Sequence, residues 1–173
     1  MRMLTGLRAG WRKGTPHRAA ATIFRGPYLR GMTPPTDLEW LLHLASSWAL
    51  FGLIWTVQLV HYPSFRYVPD FTEFHPHHTS SITLIVLPLM LLELAVTGWL
   101  AYRTQFAWPY LVPLVLVGLI WANTFFQAVP LHNALGKLRS DADIESLIRV
   151  NWPRTLLWTV KALWISYGWY TRT

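Results

Sequence analysis

Four stretches, at about 41–60, 81–102, 108–129 and 155–170, are apolar for close to the roughly 20 residues that a helix needs to cross a ~30 Å hydrocarbon layer. No other feature constrains the fold as strongly. Inside lipid every backbone N–H and C=O must be satisfied within its own segment, which makes each such stretch a helix. The composition agrees: 53% of residues are hydrophobic and 13% charged, against roughly a quarter charged in a soluble domain. The expectation is an all-α fold, a four-transmembrane-helix antiparallel bundle over residues 37–173. The fourth span is the shortest and carries Lys161. Pro88 and Pro113 fall inside spans two and three and predict kinks, with neighbouring groups satisfying the freed carbonyls. Trp40, Tyr62, Tyr102, Trp108, Trp152, Trp169 and Tyr170 gather near span ends, as an interfacial aromatic belt would.

Residues 103–107 form a tight turn that makes spans two and three antiparallel neighbours. The connections 61–80 and 130–154 are longer and lie together on the opposite side. The second is expected to hold a short surface helix capped by Ser140, with Asp141 and Asp143 at its N-terminus and Arg149 at its C-terminus. Ile144, Leu147 and Ile148 would face the bundle.

The formal charge of +7 is concentrated at one end. Residues 1–36 hold Arg2, Arg8, Arg12, Lys13, Arg18, Arg25 and Arg30 and no acid, whereas from Asp37 onward basic and acidic side chains cancel. The basicity is that of a tail, and with no nucleic-acid motif beside it a nucleic-acid partner is not expected. The tail lacks the 7–15-residue apolar core of a secretory signal. It reads as a disordered segment or as sequence upstream of a start at Met32, ahead of a transit-like peptide. Arg103 and Arg172 add to the bias and put both termini in the cytoplasm. A start at Met32 nearly removes that bias. The absence of cysteine excludes disulfides, thiolate chemistry and cysteine-ligated metal centres.

Polar residues fall on helical stripes. Phe51, Ile54, Gln58 and His61 share a face of span one. His75, His78, Ile82, Ile85, Leu89 and Glu93 share one of span two if that helix starts early. Asn123 and Gln127 lie on span three, with His132 beyond them. Asn151, Arg154, Trp158, Lys161 and Ile165 line span four. Polar groups in a span face the bundle interior, so His61, His75, His78, His132, Asn151 and Arg154 are expected to converge at the outward mouth.

Each group carries two readings. His61, His75, His78 and His132 are candidate metal ligands, and His61 and His132 candidate cofactor ligands for a metal ion or haem, since neutral imidazole is the commonest metal ligand. The other reading is hydrogen bonding to loop carbonyls. Glu93 lies too deep to join them and pairs with Lys161, either as a structural ion pair or as a proton relay. Asn151 and Arg154 suit an anionic or carbonyl-bearing ligand, or Arg154 snorkels and caps carbonyls. His77 and His17 read as bystanders and His43 as an interfacial residue.

The segments HYPSF (61–65), FHPHHTSSI (74–82), PLMLLE (88–93), QAVPLHNAL (127–135) and NWPRTLLWTVK (151–161) resemble an uncharacterised family of small bacterial four-helix integral membrane proteins. The resemblance covers about 38–170 and implies a bacterial inner membrane. Phe74 stands where that family has tyrosine, Ser80 and Ser81 where it has arginines, and Lys161 where arginine is usual. A more distant similarity, through the Asn151-x-x-Arg154 element, is to anthrone-oxygenase-like membrane proteins. It implies a small membrane oxidoreductase or oxygenase, with Glu93, Lys161, Arg154 and Asn151 as candidate catalytic residues. The alternative is a non-enzymatic bundle binding a lipid, a quinone or other small hydrophobic ligand, or a partner protein.

Overall fold

A computed structural model of the protein describes Gly31 and residues 33–172. The expectations for residues 1–30, His17 among them, and for Met32 as a start lie outside the described residues. Four helical rods follow one another: α1 (Asp37–Tyr67), α2 (Phe71–Arg103), α3 (Trp108–Leu135) and α4 (Asp141–Arg172). Each packs on the next and α4 packs on α1, which closes an antiparallel ring. No strand occurs among the described residues.

The ends of the helices are set by local chemistry. Thr36 and Glu39 form a reciprocal capping box at the start of α1. Glu39 also pairs with Arg103 and accepts from Trp99 Nε1 at 2.7 Å. Arg172 pairs with Asp37 at 2.9 Å, so the first turn of α1 and the last turns of α2 and α4 lie at one end. Asp70 caps α2 through the Glu73 amide, and Ser140 caps α4 through the Asp143 amide at 3.2 Å.

Helices α1, α2 and α3 are long and apolar enough to cross a membrane. Helix α4 is as long, at 32 residues, but has acids in its first turn and Arg154 and Lys161 further along. Both of those cations turn inward. The core is two apolar clusters. One surrounds Leu50, Ile54, Phe65, Met90 and Trp158, and the other surrounds Trp40, Leu100, Tyr110 and Ile165. Between them on α1, α2 and α4 lies a buried polar layer of His43, Ser47, Glu93, Thr97 and Lys161.

Several expectations are corrected. The long connections shrink: α2 begins at Phe71 and α4 at Asp141, so only 68–70 and 136–140 separate the helices at that end. The His/Pro/Ser-rich stretch is helical, and its hydroxyls turn back onto carbonyls four residues earlier instead of breaking the helix. Thr79 bonds His75 O at 2.8 Å, Ser80 bonds Pro76 O at 2.9 Å and Ser81 bonds His77 O at 2.9 Å. The expected short surface helix is instead the start of α4, and Arg149 is mid-helix. Ile144 and Leu147 are fully buried and Ile148 packs on the same cluster. Trp40 and Tyr62 are buried inside the ring rather than in an outer belt. The carbonyl of Pro109, which Pro113 has no N–H to satisfy, accepts from Trp164 Nε1 at 2.9 Å.

The turn between α2 and α3 puts Gln105 and Phe106 at positive φ, 50° and 58°, with Phe106 N bonded to Ala101 O at 2.7 Å. Left-handed backbone costs a side-chain-bearing residue about 1–2 kcal/mol, part of which a glycine regains at an entropic cost when unfolded. Gln105→Gly is therefore expected to raise stability by about 0.5–1 kcal/mol, read as a higher thermal midpoint in detergent. An unchanged or lower midpoint would show that the Gln105 side chain contributes a contact worth as much as the strain.

Candidate functional site

At the end of the ring away from Asp37 and Arg172, two helices depart from regular winding. Val57–His61 in α1 and Thr124–Ala128 in α3 are π-helical turns, in which Tyr62 N reaches Val57 O and Val129 N reaches Thr124 O. A proline follows each one two residues on, Pro63 and Pro130. Its missing N–H and its ring disturb the regular ladder there, and a wide turn absorbs the mismatch. The extra residue shifts the register that α-helical spacing predicts. On α3, Ile120 and Asn123 face inward, but beyond the wide turn Ala128 takes the inward place and Gln127 is exposed. The same shift aims His132 into the bundle.

The widened turns and α2 enclose a cavity of about 200 Å³. Its walls are apolar, with Leu53, Ile54, Val57, Ile82 and Val86 among them. Its other end is polar: His61, Tyr62, His78, His132 and Arg154. Thr83, Val129 and Asn133, also in the lining, are exposed and mark an opening on the flank of the ring, beside α2 and α3.

Arg154 is the fixed point of that end. It is 6% exposed, and its Nη1 donates to Asn151 Oδ1 at 3.1 Å. The Tyr62 hydroxyl is its near neighbour, and the guanidinium lies 5.4 Å from the Trp158 ring centre. Asn151 in turn donates to Gln58 Oε1 at 2.9 Å, and Gln58 donates to Ile148 O at 3.2 Å. The Tyr62 hydroxyl lies 3.1 Å from His132 Nε2. His132 Nδ1 lies 3.2 Å from His75 Nε2, so the three side chains form one hydrogen-bonded run whose donors follow the tautomer of His132. His61 and His78 form a separate pair, Nε2 to Nε2 at 2.6 Å, in which one ring donates and the other accepts.

The four histidines thus share one mouth with Asn151 and Arg154 but point at one another in pairs. Among the described residues, no group of three or more His, Asp or Glu side chains is arranged to hold a metal ion. As placed, the four imidazoles face one another in pairs, and no three of them converge on one point as the expected metal site would need. Tyr62, central to the network, carries no sequence signal beyond its place before Pro63. His77 is exposed, and Ile85, at 55% exposure, leaves the stripe on α2 to Val86.

Glu93 and Lys161 lie deeper, in the polar layer. Lys161 Nζ stands 2.9 Å from Glu93 Oε1, and both side chains have 0% exposure. Glu93 Oε2 accepts from Trp158 Nε1 at 2.9 Å, and Lys161 donates to Ser47 Oγ at 2.7 Å. Ser47 bonds His43 O at 2.7 Å, and His43 Nδ1 lies 3.5 Å from Thr97 Oγ1. His43, expected at an interface, is 2% exposed, because the inward stripe of α1 that carries Ser47, Leu50 and Ile54 begins above it.

Comparison with protein-family models, curated proteins and solved structures finds no match for this chain.

Removing either member of the buried pair leaves the other charge without its partner, which typically costs about 3–5 kcal/mol. Glu93→Gln and Lys161→Met are each expected to lower stability in detergent by that order, and the double variant by clearly less than the sum. Losses that add to within about 0.5 kcal/mol would mean that the two charges do not interact.

Proposed function

We propose that the protein is an integral membrane four-helix bundle that takes a small amphiphilic ligand into this cavity, apolar body against α1 and α2, polar head against Tyr62, His132 and Arg154. One observation carries the reading: an apolar cavity with a flank opening ends on a buried guanidinium whose Nε has no hydrogen-bond partner. A cavity of ~150 Å³ in another protein holds benzene, so about 200 Å³ suits one ring or a short length of chain. A lipid or a quinone has that shape, and a helical bundle commonly binds ligands between its helices.

The second reading is a small membrane oxidoreductase or oxygenase. The hydrogen-bonded run Tyr62–His132–His75 beside Arg154 favours it, because Tyr62 and His132 are placed to move a proton to or from a bound head group. These residues supply proton transfer only, and the reaction would also need an electron acceptor such as dioxygen or a quinone.

A decyl-tailed quinone is expected to bind the purified protein saturably. Ile82→Trp, which fills a half-buried part of the wall, is expected to weaken binding by about ten-fold or more, the loss of roughly 1.4 kcal/mol. Isothermal titration in nanodiscs measures both. Unsaturable uptake that Ile82→Trp leaves unchanged would reduce the effect to partition into lipid and sink the cavity reading.

The membrane is proposed to be a bacterial inner membrane, with both termini cytoplasmic. The seven basic residues of 1–36 support that orientation. Without them the balance reverses: Arg103 and Arg172 flank one end, Arg66, Lys137, Arg139 and Arg149 the other. A reporter fused to the C-terminus is expected to signal from the cytoplasm in the full chain, and removing residues 2–31 is expected to turn part of the population over. A periplasmic signal from the full chain would refute the orientation.

A further inference from the structure

Two cations are buried on α4, and they are treated differently. Lys161 has a carboxylate at 2.9 Å. Arg154 forms no salt bridge, whereas Arg66, Arg103, Arg139, Arg172 and Lys161 all do. Its partners are an amide oxygen, a phenol and an indole face, all neutral, and its Nε has none. A guanidinium cannot shed its proton to relieve burial, and an uncompensated buried charge is costly. The titratable groups facing it are Tyr62 and the histidines 61, 75, 78 and 132. The imidazoles add only positive charge when they ionise. The nearest acid along the stripe, Glu93, has its two oxygens taken by Lys161 and Trp158. The other acids at this end are remote: Asp70, Glu73, Asp141 and Glu145 are exposed, and half-buried Asp143 lies in the first turn of α4, about 16 Å along the axis from Arg154.

The missing negative charge has one place to come from, the cavity that Arg154 lines. We propose that the ligand is a monoanionic amphiphile, a carboxylate or an acidic ring hydroxyl no larger than one six-membered ring, on an apolar body. The planar fork of Arg154 suits a carboxylate better than a lone carbonyl. The Tyr62 hydroxyl, 3.1 Å from His132 Nε2, sets the edge of that pocket. This rests on the reading that the cavity takes an amphiphile, and it excludes a neutral quinone as the preferred ligand.

Four probes with comparable tails test it on the full chain in nanodiscs of uncharged lipid, in mildly alkaline buffer: dodecanoate, para-nonylbenzoate, methyl dodecanoate and a decyl-tailed quinone. Titration is expected to show one or both anions binding at least about ten-fold tighter than the ester and the quinone, with Ile82→Trp weakening them. A tighter dodecanoate supports a chain acid as the source and a tighter benzoate a ring acid. Arg154→Gln is expected to weaken the anions at least about ten-fold more than the ester, which removes the anion preference. The wild-type series stands without that variant if it does not fold. An ester or quinone bound as tightly as the acids, and sensitive to Ile82→Trp, overturns the anion inference while the cavity reading survives. No probe sensitive to Ile82→Trp overturns both.

Discussion

The ring is organised by the charges that α4 brings inside it. Lys161 and Glu93 have no exposed surface, and their attraction is felt at full strength only in one register of α4 against α2. Ser47 on α1 takes a second proton of Lys161, so three helices are fixed at one level. Two apolar clusters lie on either side of that level. They supply non-directional burial, which tolerates sliding, whereas the ion pair does not. A fully apolar layer would pack at least as stably. What the pair adds is one register for α2 and α4, which is a specificity argument more than a stability one.

That register then sets the mouth. Trp158 donates to Glu93 with its indole N–H and offers its ring to Arg154, so the polar layer and the cavity are joined through one side chain. Arg154 in turn holds Asn151 and Tyr62, and through Tyr62 the His132–His75 pair. The π turns contribute the space. In a regular helix the inward places on α3 past Asn123 would fall to Gln127 and then to Leu131. The wide turn gives them to Ala128 and His132, one small and one polar, and a cavity opens between them.

The four helices and the stripe on α4 were legible in the sequence for one physical reason: the cost of a charge in an apolar segment forces it inward, and the helical period says which neighbours go with it. Asn151, Arg154, Trp158, Lys161 and Ile165 are all buried on that face. The Glu93–Lys161 pairing followed from the same cost. The helix ends at 61–80 and 130–154 were not legible, because Pro76, the paired histidines and the Thr/Ser run have the composition of a loop. Nor were the π turns, since sequence period assumes regular winding and the sole trace is a proline two residues on. Gln127, which the stripe on span three turns inward, is exposed as a result, whereas His132 lines the mouth as expected. Hydrophobic pattern also gave no account of Tyr62, whose importance comes from its neighbours on two other helices, His132 on α3 and Arg154 on α4.

The contrast between the two cations carries the functional argument further than either alone. If Arg154 served only to fix helices, its needs would be those of Lys161, and a carboxylate at the mouth would meet them. Position 61 or 78 could supply one at the cavity wall, yet both hold imidazoles, which offer no negative charge. Every neutral group around Arg154 orients it: Asn151 from its own helix, Tyr62 from α1 and the ring of Trp158 from below. A side chain held from three sides and left without a counter-charge is preorganised for one, since the ordering cost is met before the ligand arrives. The Glu93–Lys161 pair makes that arrangement sustainable. By tying α4 in place from within, it lets the outer turns of the same helix carry a charge with no counter-charge among the described residues.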